Sequence, residues 1–550
     1  MFPLCFRCFF LLPLAGCFAP HAVSAAEVMP WRSSLYPDDW TPAWRDAEGR
    51  FLHDFSYAGY RHGEAPLPER TDNIIDATQP PYEADASGVN DATAAIQAAL
   101  DAAGRNGGGG VVFLPAGTYR VAPPEGATAA LRIRDSHVML RGAGAGRTFV
   151  FNDTTAMRGK RVIEVAPRTA ASWAAEGKVV AGAPLTADLP EPSLRVPVAD
   201  VSGFAVGEPV VVRNDLTEHF IGLVEMDGRH GGKWTPAQSP NRTLAYYRRI
   251  LEINTEAGAL VLDVPVRGWL FTADNARVVR VSDAMLTEVG VEDLSIGMRQ
   301  HPGEGLAEND WQREGTVGYD AHGSVALQVS FVGNGWIRRV NSWSPPGNDP
   351  SVHVLSNGIR LWRSRLVTVA ECDWRFPQYR GGGGNGYLYT HNGQDNLIRD
   401  CRAEGARHNY DFGTMIASGN VILDCVAKDG ELASDFHMFL SLANLLDNVT
   451  CDGDSLEARA FRPWGGNPVH GVTTTQSVFW RSNGLRYPPK RPMLVQSHQV
   501  GEGYVIGTRG PAARVDSSDF VEGEGKGDGL TPRSLYLDQL GRRLKDRAGR

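Results

Sequence analysis

The chain has 550 residues, 42% of them hydrophobic, with 62 glycines, 34 prolines and a net charge of -8 at a pI near 6.0. Such a composition can bury a large core and favours many tight turns over long helices. It lacks the basic excess needed to neutralise phosphates, which argues against nucleic acid as the main partner.

Residues 1–26 read as an export signal. Arg7 lies early, the apolar run Phe9–Leu14 follows, and no acidic residue precedes Glu27. Two processing readings stay open: a small-residue cleavage site at Ala22-Val-Ser-Ala25, or a lipobox at Leu14-Ala-Gly-Cys17 that would place a lipid anchor on Cys17. Either implies a periplasmic or extracellular protein. No later apolar run reaches about 18 residues, so no transmembrane helix is expected.

Residues 27–80 form an irregular lead-in segment rich in Trp, Tyr and Pro. In residues 81–165, Asp91 or Thr93 can cap an apolar-faced helix over Ala94–Ala103, with Ile96, Ala99, Leu100 and Ala103 on one side. Gly107–Gly110 ends it, and the β-branched strand from Val111 begins. Such a helix closes the open end of a stacked-strand core.

Residues 87–121, SGVNDATAAIQAALDAAG…GGGVVFLPAGTYRV, resemble the N-terminal signature of the pectate-lyase-like β-helix superfamily, with Ser87 where that group usually has Asp. The group includes polygalacturonase-like hydrolases, polysaccharide lyases and phage tailspikes. The resemblance covers about 40 residues and implies an all-β fold: a right-handed parallel β-helix (solenoid) with an N-terminal capping helix. It implies little about the reaction, because the cap is remote from any groove.

Between residues 166 and 283 the rhythm changes to short alternating strands at Leu194–Val198, Pro209–Val212, Tyr247–Ile253, Ala259–Val264 and Ala276–Val281. These predict an inserted antiparallel β subdomain. Its loop Asp215–Tyr246 reads either as a lid over the groove or as a decoration. Coils resume over 284–515, where Val367–Cys372, Asn396–Cys401, Asn420–Cys425 and Asn448–Cys451 look like one strand repeated at cysteine spacings of 29, 24 and 26. Trp480 fits the same slot. The cysteines therefore read as an inward stack of free thiols. Residues 516–550 form a tail whose end, from Leu535, reads as a short amphipathic helix on the last coil.

Polar residues with chemical potential concentrate between His391 and His470. Registered forward from their cysteines, Asp411 and Asp435 both lie ten residues on and would stack about 4.8 Å apart. Registered backward, Asp411 stacks under His437 instead. Asp411, Asp435, His437, His408, Tyr410 and Arg462 are the candidate catalytic residues. His391, Asn392, Arg407, Trp464 and His470 are the candidate substrate-binding residues. A close carboxylate pair can share a proton for glycoside hydrolysis or bind calcium, while His or Tyr beside Arg suits proton abstraction next to a carboxylate.

The stretch GGGGNGYLYTHNGQDNLIRDC…GARHNYDF resembles bacterial parallel β-helix proteins of undefined substrate. The Asn-x-Asp, Asp-Asp, Gly-His-Gly and Arg-x-Lys set of polygalacturonases is missing. The reading favoured is therefore a lyase cleaving a uronate-containing polysaccharide by β-elimination. A glycoside hydrolase using the Asp pair and a non-catalytic glycan-binding surface protein are the alternatives, and uronate epimerisation shares the lyase's first step.

Overall fold

The computed structural model describes Met1 and residues 29–169, 182–238, 243–281 and 285–549. The stretch expected to be an export signal, with Cys5, Cys8 and Cys17, lies outside them apart from Met1. Twenty-four strands form one sheet, and every pairing within it is parallel; a five-stranded parallel sheet closes another face of the coils. One inward column traces the whole solenoid: Ile75, Val112, Leu140, Val291, Ile337, Val369, Ile398, Ile422, Leu446, Phe479 and Val505 are successive register partners. Apolar residues recurring once per coil leave only one register that buries them all. On the five-stranded face the outward column Arg375, Glu404, Lys428, Asp452 and Arg486 alternates in sign, which suits charges one strand apart.

The N-terminal helix runs Thr93–Arg105 and buries Ile96, Ala99, Leu100 and Ala103. Its cap differs from expectation. Ala92 is the N-cap and makes no side-chain bond. Asp91 Oδ1 instead accepts the Thr93 amide at 2.8 Å, while Thr93 Oγ1 takes the Ala122 amide at 3.0 Å and ties the helix to a strand.

The chain leaves the coils after Val165 and re-enters at Val289, directly beside strands 138–142 and 148–152. Between them, strands Ala183–Pro184, Ser193–Pro197, Pro209–Arg213, Ala245–Asn254, Ala259–Val266 and Arg277–Arg280 form a six-stranded antiparallel sheet. Five of these lie within two residues of their sequence-based positions. The sheet docks through buried ions: Arg267 and Arg248 hold Asp395 at 2.6 and 3.3 Å, and Arg365 holds Asp263 at 2.7 Å. Charges this buried are tolerated because each faces an opposite one.

All four later cysteines are buried free thiols. Cys372, Cys401 and Cys425 do share a slot, each two residues past the register partners Ala370, Arg399 and Leu423. Cys451 does not: it pairs with Ala427, one inward step further on, and Val449 fills the expected slot. Trp480 pairs with Asp447 and so also falls outside it. The C-terminal helix, Leu535–Ala548, is capped by Ser534. It shares an apolar cluster with Leu35, Tyr36 and Phe55 that runs along the coils from Leu397, Val421, Leu445 and Val478 to Tyr504, Ile506 and Phe520, and its Tyr536 amide donates to Asp447 at 2.9 Å. No helix among the described residues is long and apolar enough to cross a membrane.

Candidate functional site

A second column of register partners runs along an outward slot: Arg132, Glu164, Gln328, Arg360, Thr390, Asp411, Asp435, Glu457, Gln496 and Asp516. Asp411 thus stacks on Asp435, as the forward cysteine register predicts, and the backward register is wrong. A bulge after Phe412 and Phe436 removes His437 from the pairing, with Gly413 opposite Met438. The bulge lets His437 turn its Nδ1 back to Asp435 Oδ2 at 3.1 Å.

Above these strands lies a cleft of about 840 Å³. Its floor holds Tyr387, His408, His437, Glu457 and Arg462. One wall carries Arg459, Trp464 and His470; the other carries Glu308, Trp311 and the glycines 382–384. Gly383 has φ +76 and sits where a Cβ would lie 2.8 Å from the Trp311 ring, so the glycine run is what lets this wall close. The loop 215–246 lines the cleft with none of its described residues. It buttresses the first wall from behind: Trp234 is fully buried and donates Nε1–H to Val469 O at 3.0 Å.

Asp435 is the hub. Its Oδ2 takes Arg462 Nη2 at 2.5 Å, His437 Nδ1 at 3.1 Å and lies 3.3 Å from His408 Nδ1. Burial would raise this carboxyl, but Arg462 and then the two histidines hold it well below the usual carboxylate range. Asp411 faces the opposite balance. Burial first, then the charge of Asp435, pushes it up to about 8, against a 2.6 Å hydrogen bond from Thr390 Oγ1. Two stacked carboxyls with opposite environments divide into one ionised and one protonated group near neutral pH.

His437 Nδ1 faces both Asp435 Oδ2 at 3.1 Å and Arg462 Nη1 at 3.2 Å; in the tautomer that donates Nδ1–H to Asp435, Nε2 accepts the Tyr387 hydroxyl at 3.2 Å. Burial, then the Asp435 and Asp411 charges, raises the Tyr387 phenol well above its ordinary range, keeping it a neutral proton donor. His408 donates Nδ1–H to Ala433 O at 2.7 Å, and burial lowers it to about 3. His470 stands with its ring 5.2 Å from that of His437; burial first, with the Arg462 charge nearby, lowers it to about 4.

His408, Asp435 and His437 lie close enough together to hold a metal ion. Their chemistry does not fit calcium, which takes six to eight oxygen ligands. A single carboxylate is offered here, and Arg462 already neutralises it.

Of the sequence candidates, His437, His408, Arg462, Arg407, Trp464 and His470 line the cleft; Asp435 is buried behind His437 and Arg462, and Asp411 stacks on it in the ladder. Three do not belong there. Tyr410 points into the coil, where its hydroxyl serves Cys401 O and Val426 O at 3.2 Å each and its ring stacks on Tyr389. His391 is likewise inside, fully buried and stacked on Phe412 at 4.8 Å. Asn392, next to His391 on strand Tyr387–Gln394, is buried and does not line the cleft. Sequence reasoning missed Tyr387, Glu457, Arg491, Glu308 and Trp311. Glu457 is the next rung after Asp435, bound by Arg462, by Arg459 at 2.9 Å and by Arg491 at 2.5 Å. The misplaced Cys451 slot hid it, because counting ten from Cys451 lands on Phe461.

Residues 81–182 match the family model for rhamnogalacturonase A/epimerase, pectate lyase-like. The chain is 51% identical over 63 residues to mannuronan C5-epimerase AlgE1 of Azotobacter vinelandii, covering 12% of this chain and 4% of that protein. It is 45% identical over 69 residues to alginate lyase 7 of the same organism, covering 12% and 8%. The matches therefore span only a small part of these relatives. Among solved structures, the Pseudomonas phage phi297 tailspike gp61 aligns over 80% of this chain and 70% of its own at 11% identity and TM-score 0.43. The A-module of epimerase AlgE6 from Azotobacter vinelandii aligns over 82% and 96% at 13% identity and TM-score 0.32. Its coils stack in parallel, which makes the chain a parallel β-helix protein, and the pectate lyase-like family match lies at the N-terminal end of those coils. Within that class, residues 81–182 carry the rhamnogalacturonase A/epimerase pattern.

Proposed function

We propose that this is an exported enzyme whose cleft binds a uronate-containing polysaccharide and cleaves it by β-elimination, with His437 as base and Tyr387 as acid. The observation that carries the reading is the 3.2 Å hydrogen bond between Tyr387 Oη and His437 Nε2, with Asp435 and Arg462 behind it. When substrate enters, His437 Nε2 takes the proton from C5 and the electrons move into the uronate carboxylate as an enolate. They return to form the C4–C5 double bond as the bond to O4 breaks, and Tyr387 gives its proton to the departing oxygen. The surplus proton on His437 then passes back to Tyr387 along the same hydrogen bond. Asp435 steadies the imidazolium between the two steps. Four arginines lining the cleft, Arg407, Arg459, Arg462 and Arg491, suit an anionic polymer and an enolate.

The hydrolase alternative has less support. It needs two carboxyl groups flanking a bound sugar, but Asp411 does not line the cleft, and Asp435 and Glu457 are locked onto arginines. A C5-epimerase is the second reading, favoured by the local similarity to mannuronan C5-epimerases. It shares the abstraction and differs only in returning a proton to the other face of C5.

Incubation with a panel of polyuronates in D2O separates these. Elimination gives unsaturated ends that absorb in the ultraviolet; epimerisation gives C5 deuterium without absorbance. New reducing ends with neither signal would overturn both in favour of hydrolysis. Retention of polysaccharide with no turnover would leave a binding protein.

A further inference from the structure

We infer that Arg407 is a carboxylate subsite of the cleft and that the side chain of Glu308 occupies it as an internal stand-in, to be displaced by a uronate of the incoming chain. The inference rests on the uronate reading above and goes further, to one cation and its resident competitor.

The cleft arginines differ in how free their partners are. Arg462 is enclosed by Asp435, Glu457 and His437. Arg459 and Arg491 grip Glu457, whose side chain is 3% exposed and fixed in a strand, so it cannot swing away. Arg407 is paired differently. Its two terminal nitrogens meet the two carboxylate oxygens of Glu308 at 2.8 and 2.9 Å, and that side chain is 58% exposed. This is the paired geometry in which arginine holds any carboxylate.

Glu308 can release it without moving the wall. Its backbone carbonyl accepts the Gly382 amide at 2.7 Å and the Tyr379 hydroxyl at 3.3 Å, so the loop stays pinned while the side chain turns out to solvent. Arg407 itself is anchored by its Nη1 bond to Arg380 O at 3.0 Å. It directly precedes His408 in the chain, and its positive charge acts on the Tyr387 phenol. A carboxylate exchanged onto Arg407 is therefore held beside the Tyr387–His437 pair, where C5 must lie. Neutral polymers gain nothing from the exchange, so the Glu308 contact discriminates for acidic chains.

The experiment measures binding of alginate-derived oligouronates to the full chain by calorimetry, which does not require turnover. Glu308→Gln should tighten binding about two- to fivefold, the range for an exposed ion pair, and Glu308→Ala should do the same. Arg407→Gln should weaken binding and abolish the gain from Glu308→Gln in the double variant. Equal affinity of wild type and both Glu308 variants overturns the inference, and so does a gain that persists without Arg407, which would mark a general charge effect. Failure of wild type itself to bind any oligouronate removes the uronate reading as well, and is told apart because it needs no variant.

Discussion

Replacing Arg462 with methionine tests the electrostatic centre of the site. The Arg462 side chain is 4% exposed, and those of its partners Asp435 and Glu457 are 0% and 3% exposed. Glu457 keeps Arg459 and Arg491 after the change, whereas Asp435 is left with two histidines. Removing one member of a buried ion pair costs about 3–5 kcal/mol, mostly as the stranded charge. With Glu457 still compensated, the lower end applies, about 3 kcal/mol. A solenoid opens locally, so the loss should be read locally, by amide hydrogen exchange. Protection in strands Ser434–Met438 and Leu456–Ala458 should fall about a hundredfold, at about 1.4 kcal/mol per tenfold, while strand Gly110–Leu114 stays unchanged. The Arg462→Met, Asp435→Asn double variant should recover most of the protection, because the stranded charge is gone. The single-variant penalty should also shrink as pH falls towards the ordinary 3.8 of an aspartate, where Asp435 takes a proton instead. Unchanged protection in Arg462→Met, or a double variant worse than the single one, would refute this account.

Tyr387→Phe and His437→Gln should each lower kcat on a polyuronate by about 10²–10⁴ with little change in KM. Tyr410→Phe should leave the rate intact and cost about 1 kcal/mol of stability, since its hydroxyl only serves two carbonyls inside the coil; a rate loss there would contradict the inward placement. Asp411 should make stability pH-dependent in a defined sense. Its folded value is about 8 against 3.8, so within that window the folded chain holds a proton that the unfolded chain has lost. Stability contributed by this group falls as pH rises through the window and levels off above it. Asp411→Asn should therefore gain on wild type progressively across the window, and melts that show a constant gap would refute the shift. Finally, a thiol reagent should titrate none of Cys372, Cys401, Cys425 and Cys451 in the folded protein and all four after denaturation, because each is buried; in Cys401, Cys425 and Cys451 burial also raises the thiol.

What could be read from the sequence follows from how a solenoid is built. A parallel coil sets residues one period apart side by side, so a difference in residue number becomes a distance. That is why counting from Cys401 and Cys425 placed Asp411 on Asp435. The count holds only while coils keep equal internal lengths. It failed at Cys451, which sits one inward step past the slot of Cys425, and with it the register that would have revealed Glu457. The same limit put Tyr410 and His391 on the wrong side of the wall. Their strands alternate in and out, but nothing in His-Asn-Tyr-Asp-Phe says which parity faces the core until Phe412 and Phe436 are seen stacked at 4.8 Å.

The cleft walls were out of reach for a different reason. Glu308 and Trp311 belong to the segment after strand Val289–Met298, a whole coil or more before the polar ladder in sequence, and no period relates a loop to the strand it covers. The loop 215–246 looked equally able to cover the groove, yet its Trp234 is spent on holding Val469. Chemistry in this fold is therefore divided between two kinds of information. The repeating rungs supply the carboxylate, histidine and arginine hub in a rigid frame. The irregular walls decide which ligand reaches it. Arg407 stands at their junction: the ladder strand positions it next to His408, and the wall fills it with Glu308. If that pairing were structural alone, a buried carboxylate would have served better, as Glu457 does for its three arginines. An exposed one holds less tightly, and it can be exchanged.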